Sequence, residues 1–73
     1  MSAVVKSDPY EVLGIAPDVD DETLRNHYHQ LVLDNHADRM IARGVPPEFV
    51  SLATKKVAVI NAAYEAVAKE RRI

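Results

Sequence analysis

The sequence predicts an all-α fold, an antiparallel helical hairpin with a short helix packed across it. Apolar residues recur at steps of three and four in two long segments, as they do along one face of a helix. A Pro-Pro pair separates these segments, and no stretch alternates apolar and polar residues as a half-buried strand would. With 73 residues, the chain suits a single domain with a small core.

The first helix is short and is predicted over about residues 9–13. Asp8 occupies the N-cap position, Pro9 the first helical position, and Gly14 the position where a helix C-terminus favours glycine. We therefore expect residues 1–7 to be a lead-in and residues 8–73 to form the domain.

The two long helices are predicted over about residues 21–35 and 48–69. Asp20 or Asp21 caps the first of them. Asp38 is expected to cap a single helical turn between them, which Gly44 ends. The apolar faces that should meet in the hairpin are Leu24, Tyr28 and Leu31 on the first helix and Phe49, Ala53, Val57, Ile60, Tyr64 and Val67 on the second. Lys69, Arg71 and Arg72 are expected to be solvated near the negative end of the last helix dipole.

Composition argues against several classes of function. The net charge of −2 and the pI of about 5.8 disfavour a nucleic-acid binder. No apolar run approaches the ~20 residues of a membrane span, so the domain is expected not to be inserted in a membrane. The chain has no cysteine, and its neighbouring histidines, His27 and His29, would point to nearly opposite sides of a helix. No metal or cofactor is expected, and a small core without a deep pocket favours a binding module over an enzyme.

Three separated segments resemble a known family. The opening segment Asp8-Pro9-Tyr10-Glu11-Val12-Leu13-Gly14-Ile15 resembles the start of a J-domain, the module that defines DnaJ-type co-chaperones. Residues 24–31 resemble the second helix of that family, which ends in His-Pro-Asp, and residues 60–67 resemble its third helix. The loop over residues 39–48 is similar to that of DjlA-type co-chaperones, in which the J-domain is the C-terminal part of a membrane-anchored protein.

This resemblance implies a protein partner. J-domains bind DnaK-type chaperones and accelerate ATP hydrolysis by them, using the basic second helix and the His-Pro-Asp turn. Carried over to this chain, the resemblance implies a cytoplasmic domain, on the cytoplasmic side of a membrane if an anchor precedes it, and a monomer in isolation. The positions it assigns to partner binding are Arg25, Asn26, His29, His36, Ala37, Asp38 and Arg39.

The turn departs from the family pattern, because Ala37 stands where the family has proline. Proline fixes its own φ near −65° and keeps the preceding residue out of the helical region, whereas alanine imposes neither restraint. Loss of this restraint is worth about 0.4–1 kcal/mol. We expect the second helix to end near Asn35 nonetheless, because the hairpin still forces the chain to reverse.

Charge is the second departure. Asn26, His29, Gln30 and Asp34 replace bases that the family carries on its second helix, and only Arg25 there is permanently positive. Weaker positive potential slows association with an acidic partner surface. Two hypotheses follow: a co-chaperone module that stimulates a DnaK-type ATPase, with activity reduced by Ala37, or a degenerate J-like interaction module that does not stimulate hydrolysis.

Overall fold

The structure, a computed structural model, describes residues 8–73, and the predicted lead-in lies outside that range. Within it the chain forms four helices and no strand: α1 (Pro9–Leu13), α2 (Asp21–Asp34), α3 (Ala37–Ala42) and α4 (Pro47–Arg71). The all-α prediction is confirmed. The two long helices begin and end within two residues of the predicted bounds. None of the helices in residues 8–73 combines the length and the apolar character needed to cross a membrane.

The hairpin of α2 and α4 is antiparallel. Midway along it, the rings of Tyr28 and Tyr64 stack with centroids 4.1 Å apart and planes 11° apart. Beside that stack, the Tyr28 hydroxyl donates a hydrogen bond of 2.6 Å to Oδ1 of Asn61. At the far end, the guanidinium of Arg71 in the last turn of α4 reaches Asp21 in the first turn of α2. The start of one helix therefore lies beside the end of the other.

Aspartates begin the first two helices, as the sequence predicts. Oδ1 of Asp8 accepts the backbone N–H of Tyr10 at 3.0 Å, and Oδ1 of Asp20 accepts that of Thr23 at 3.0 Å. Asp20, rather than Asp21, is thus the cap of α2. Gly14 ends α1 with a φ of 73°, in the left-handed region where a side chain would be strained. These local signals set where α1 and α2 lie along the chain.

The core lies where α1 crosses the hairpin. Its buried members come from three helices, and each is at most 7% exposed: Leu13, Leu24, Ile60, Ala63 and Val67. Tyr28, Leu31 and Tyr64 are half-buried and pack against this cluster. The predicted hairpin faces are thereby confirmed over most of their length. In α2 the buried member is Leu24, in the first turn, so this core lies at the end of α2 that is away from the turn after Asp34.

Phe49 is an exception, and its predicted place in the core is wrong. Its side chain is 56% exposed. In the antiparallel hairpin, Val32 near the end of α2 lies beside Val57 of α4, with which it lines a common cavity. Phe49 is more than two helical turns before Val57, and α2 ends at Asp34. The first turn of α4 therefore extends past the end of its partner helix.

Arg71 is also placed differently from the solvated position expected for it. Its Nη1 forms a salt bridge of 2.8 Å with Asp21, its Nη2 donates to the Pro17 carbonyl at 3.1 Å, and its Nε donates to the Tyr10 hydroxyl at 3.3 Å. The guanidinium also stands 5.6 Å from the centroid of the Tyr10 ring. One side chain thus ties the end of α4 to α1, to the following loop and to the start of α2.

Candidate partner-binding site

The site is built around the junction between α2 and α3. α2 ends at Asp34, Asn35 is its C-cap, His36 is the N-cap of α3, and Ala37 is the first residue of α3. The prediction that α2 ends near Asn35 is confirmed. The predicted cap is wrong, since His36 caps α3 in place of Asp38. Asp38 instead lies in the first turn, where its negative charge is favoured by the helix dipole.

His36 caps α3 through its ring. Nδ1 accepts the backbone N–H of Asp38 at 3.2 Å, and the His36 carbonyl accepts the N–H of Met40 at 3.1 Å. An accepting Nδ1 carries no proton, so the proton of the neutral imidazole is on Nε2. Because the side chain of His36 is exposed, the Nε2–H is available to a partner.

Asn35 closes the last turn of α2. Its Nδ2 donates to the Leu31 carbonyl at 2.8 Å, and its backbone N–H donates to the same carbonyl at 3.2 Å. The N–H of His36 follows with a bond of 3.2 Å to the Leu33 carbonyl. The backbone of Asn35, at φ −109° and ψ 13°, leaves the helical region at this point. The end of α2 and the start of α3 are thus capped by two consecutive side chains.

Ala37 occupies a position that suits proline. It is the first residue of α3, where the backbone N–H has no partner within the helix. The preceding residue, His36, has φ −71° and ψ 133°, which is the extended conformation that a following proline would impose. The chain therefore adopts with alanine the backbone that a proline at this position would impose. Ala37 is half-buried beside a cavity of about 180 Å³, which α4 closes with Thr54 and Val57.

The predicted partner-binding residues fall into two groups. His36, Ala37, Asp38 and Arg39 form the turn, and all of them except Ala37 are exposed. Arg25, Asn26 and His29 are exposed on the preceding turns of α2, where positions three and four apart share a face. The His29 ring lies 5.7 Å from that of Tyr28 and helps to line a shallow groove of about 300 Å³. The structure therefore exposes to solvent most of these residues, both on α2 and in the turn that follows it.

Asp34 lies on the same helix directly before the turn. Its Oδ1 accepts a hydrogen bond of 2.8 Å from Nε2 of Gln30, and both residues are exposed. This acidic residue offsets part of the positive potential of Arg25 and Arg39. Within residues 8–73, no three His, Cys, Asp or Glu residues come together as a group that could hold a metal ion. The groups that this surface exposes include the imidazole of His36 and the charged side chains of Arg25, Asp38 and Arg39.

Fold and site together define a small helical interaction module, in which a helical hairpin presents a capped turn. The family model for the DnaJ domain matches residues 8–73, and the chain belongs to the DnaJ domain family.

The chain is similar to several bacterial proteins called co-chaperone protein DjlA. It is 38% identical to that of Aliivibrio fischeri over 72 residues, which are 99% of this chain and 25% of the relative. It is 37% identical over 65 residues both to that of Shewanella oneidensis and to that of Coxiella burnetii. Those matches cover 89% of this chain and 25% and 24% of the relatives, so the chain spans about a quarter of their length. No solved structure gives a significant match.

Proposed function

We propose that this domain is a co-chaperone module that binds a DnaK-type chaperone through α2 and the turn after it, and stimulates ATP hydrolysis by that partner. One observation carries the proposal: the exposed His36 and Asp38 are held next to each other by the bond from the Asp38 N–H to the His36 ring. Membership of the DnaJ domain family and the co-chaperone names of the relatives support it.

In this proposal each exposed group has a separate role. The Asp38 carboxylate accepts hydrogen bonds from a partner arginine, for which bidentate pairing is the strongest geometry. The Nε2–H of His36 donates to a partner carbonyl or carboxylate. Arg39 and Arg25 contribute positive charge, which raises the association rate more than the final contact energy. The groove beside Tyr28 and His29 adds apolar contact along α2.

The domain needs no catalytic group of its own. A bound protein accelerates a reaction only if it binds the transition state, or the conformation leading to it, more tightly than the ground state. The caps at Asn35 and His36 set the relative positions of His36, Asp38 and α2 before binding occurs. These residues then lose less conformational freedom on binding. More of the binding energy is left to shift the partner toward the conformation that hydrolyses ATP. We propose that this takes place in the cytoplasm, where a DnaK-type ATPase finds its ATP.

Single-turnover ATP hydrolysis tests the proposal. A DnaK-type chaperone loaded with labelled ATP is mixed with increasing domain, and the rate is compared with that of two variants. Asp38→Asn removes the charge while keeping the size of the side chain, and Glu65→Gln makes the same change at an exposed position of α4. We expect stimulation by the unmodified domain and by Glu65→Gln, with loss of at least tenfold for Asp38→Asn, as for a charged hydrogen bond.

Two other results of this experiment would contradict the proposed function. Binding without any increase in hydrolysis rate would favour a degenerate J-like interaction module over a stimulating one. Equal stimulation by Asp38→Asn and by the unmodified domain would overturn the role proposed for the Asp38 carboxylate.

A further inference from the structure

We propose that Asn35 is a positioning residue for the turn, and that its cap on α2, together with the His36 cap on α3, supplies the restraint for which proline is used in this family. The part of this inference that concerns activity rests on the proposed function. Asn35 lies outside the predicted set of partner-binding residues, and its side chain points back into its own helix.

The first step concerns the end of α2. A helix leaves its last carbonyls without partners, and an extra turn can form wherever the next residues allow it. Nothing in Ala37 opposes such continuation, because alanine is the best helix former. Asn35 is the residue at which the helix ends: its backbone leaves the helical region, and its Nδ2 donates back to the Leu31 carbonyl, which holds the Asn35 side chain against the last turn.

The second step concerns the start of α3. His36 is extended, and its ring accepts the Asp38 N–H, so one of the unpaired donors of the new helix is satisfied. The two caps belong to consecutive residues, and they leave no residue between the two helices free to change its backbone independently. Loss of the Asn35 cap therefore loosens the backbone that carries His36.

The third step concerns burial. Asn35 is half-buried, and it lines the cavity beside Ala37 together with Val32 of α2 and with Thr54 and Val57 of α4. The bond from Nδ2 to the Leu31 carbonyl, at 2.8 Å, is thus partly shielded from water, which strengthens it. A cap at an exposed helix end would restrain the turn less.

Proline at position 37 provides the decisive comparison. It would impose on His36 and on residue 37 the backbone conformation that the caps now hold. If the inference is right, proline therefore makes the Asn35 cap unnecessary. We therefore compare four chains: unmodified, Asn35→Ala, Ala37→Pro, and the double variant. Gln30→Ala is the control for hydrogen exchange, because it removes a bond of the same length one turn earlier in α2, made to a side chain and not to the backbone.

Amide hydrogen exchange is the readout that needs no partner. The amides of His36 and Met40 report on the junction, through their bonds to the Leu33 and His36 carbonyls, and the amide of Ile60 reports on the core. We expect Asn35→Ala to speed exchange at the two junction amides by roughly two- to tenfold relative to Ile60. In the double variant, exchange at these amides should return to the rate of the unmodified domain. Unchanged junction exchange in Asn35→Ala would overturn the inference.

ATP hydrolysis by the partner is the second readout. Stimulation should fall by a similar roughly two- to tenfold in Asn35→Ala and return in the double variant. A fall that proline does not reverse would overturn the positioning role and point to direct contact by Asn35. If no chain stimulates hydrolysis, the proposed function fails, and the exchange measurements decide alone on the role of Asn35.

Discussion

Nδ1 of His36 accepts the backbone N–H of Asp38 at 3.2 Å, so the two turn residues expected to contact a partner also hold each other in place. The same ring therefore has an inward-facing acceptor and an outward-facing donor. Nδ1 is needed to form the turn, and the Nε2–H is needed to bind a partner. Substitutions can therefore test the two nitrogens separately.

Asparagine at position 36 should keep the cap and lose the Nε2–H donor of the ring. Its Oδ1 matches the position of Nδ1, and asparagine is among the strongest N-cap residues. We expect His36→Asn to unfold at the same temperature as the unmodified domain or above it, but to lose stimulation. His36→Ala should lose stimulation as well as about 0.5–1 kcal/mol of stability. Thermal unfolding with single-turnover hydrolysis distinguishes these outcomes, and full stimulation by His36→Asn would remove the ring donor from the mechanism.

Proline at position 37 should stabilise the free domain. The backbone at Ala37 already suits proline, so the substitution mainly reduces the freedom of the unfolded chain, which is worth about 0.4–1 kcal/mol. The same substitution at Ala42, at the end of α3, is the control. Because proline within a helix removes a backbone bond and clashes with the preceding turn, Ala42→Pro should destabilise the domain by up to about 3 kcal/mol. Urea unfolding measures both, and a destabilising Ala37→Pro would show that the turn differs from the one described.

Arg71 should be more important for stability than the neighbouring Arg72. Hydrogen bonds from its guanidinium to Tyr10 and to Asp21 hold the pKa of Arg71 above its usual value. Lysine keeps the charge but cannot reproduce three directed bonds from one planar group. We expect Arg71→Lys to lower the Tm by roughly 5 °C, whereas Arg72→Lys leaves it within about 1 °C. Equal melting temperatures would mean that the contacts of Arg71 add nothing to the stability of the domain.

Asp20 should give the domain part of its acid sensitivity. Hydrogen bonds from Thr23, from its hydroxyl first and its backbone N–H second, hold the pKa of Asp20 below its usual 3.8. A lowered pKa in the folded state means that the contribution to stability is complete above the unfolded value, and is lost as the pH falls through the folded value.

Asp20→Asn is the matched variant for this effect, because it keeps a capping oxygen and cannot titrate. The stability advantage of the unmodified domain over Asp20→Asn should shrink as the pH falls from about 6 to about 3. All other carboxylates titrate in both chains, so the difference between the two isolates Asp20. Parallel curves of Tm against pH would contradict the assigned shift.

Much of the fold could be predicted because local signals and tertiary packing agree. Asp8, Asp20 and Gly14 mark helix ends by their own chemistry, and the spacing from Leu24 to Leu31 marks a buried face without knowledge of the partner helix. Phe49 obeys the same spacing and is exposed, since burial depends on what lies opposite. A sequence pattern shows which face is apolar, but not how far the opposing helix extends.

The end of α2 could be predicted from the sequence, but the hydrogen bonds at its junction with α3 could not. The sequence predicts correctly that α2 ends near Asn35, but it does not predict that Asn35 and His36 cap the two helices. Asp38 is by composition the better N-cap candidate, and histidine is not among the residues that prefer this position. Asn35 could have been noticed, because asparagine is common where helices end. The guanidinium of Arg71 had no such local signal, since its partners lie at least 50 residues away in sequence.

In the proposed function, the turn with Ala37 already has the geometry that stimulation of the partner requires. The most direct test is the ratio of single-turnover ATP hydrolysis rates of a DnaK-type partner, at saturating concentrations of the unmodified domain and of Ala37→Pro. If the caps supply the restraint, both chains stimulate hydrolysis, and their rates agree within about fivefold. Stimulation by Ala37→Pro alone would contradict this, because it would show that the caps at Asn35 and His36 do not replace the missing proline.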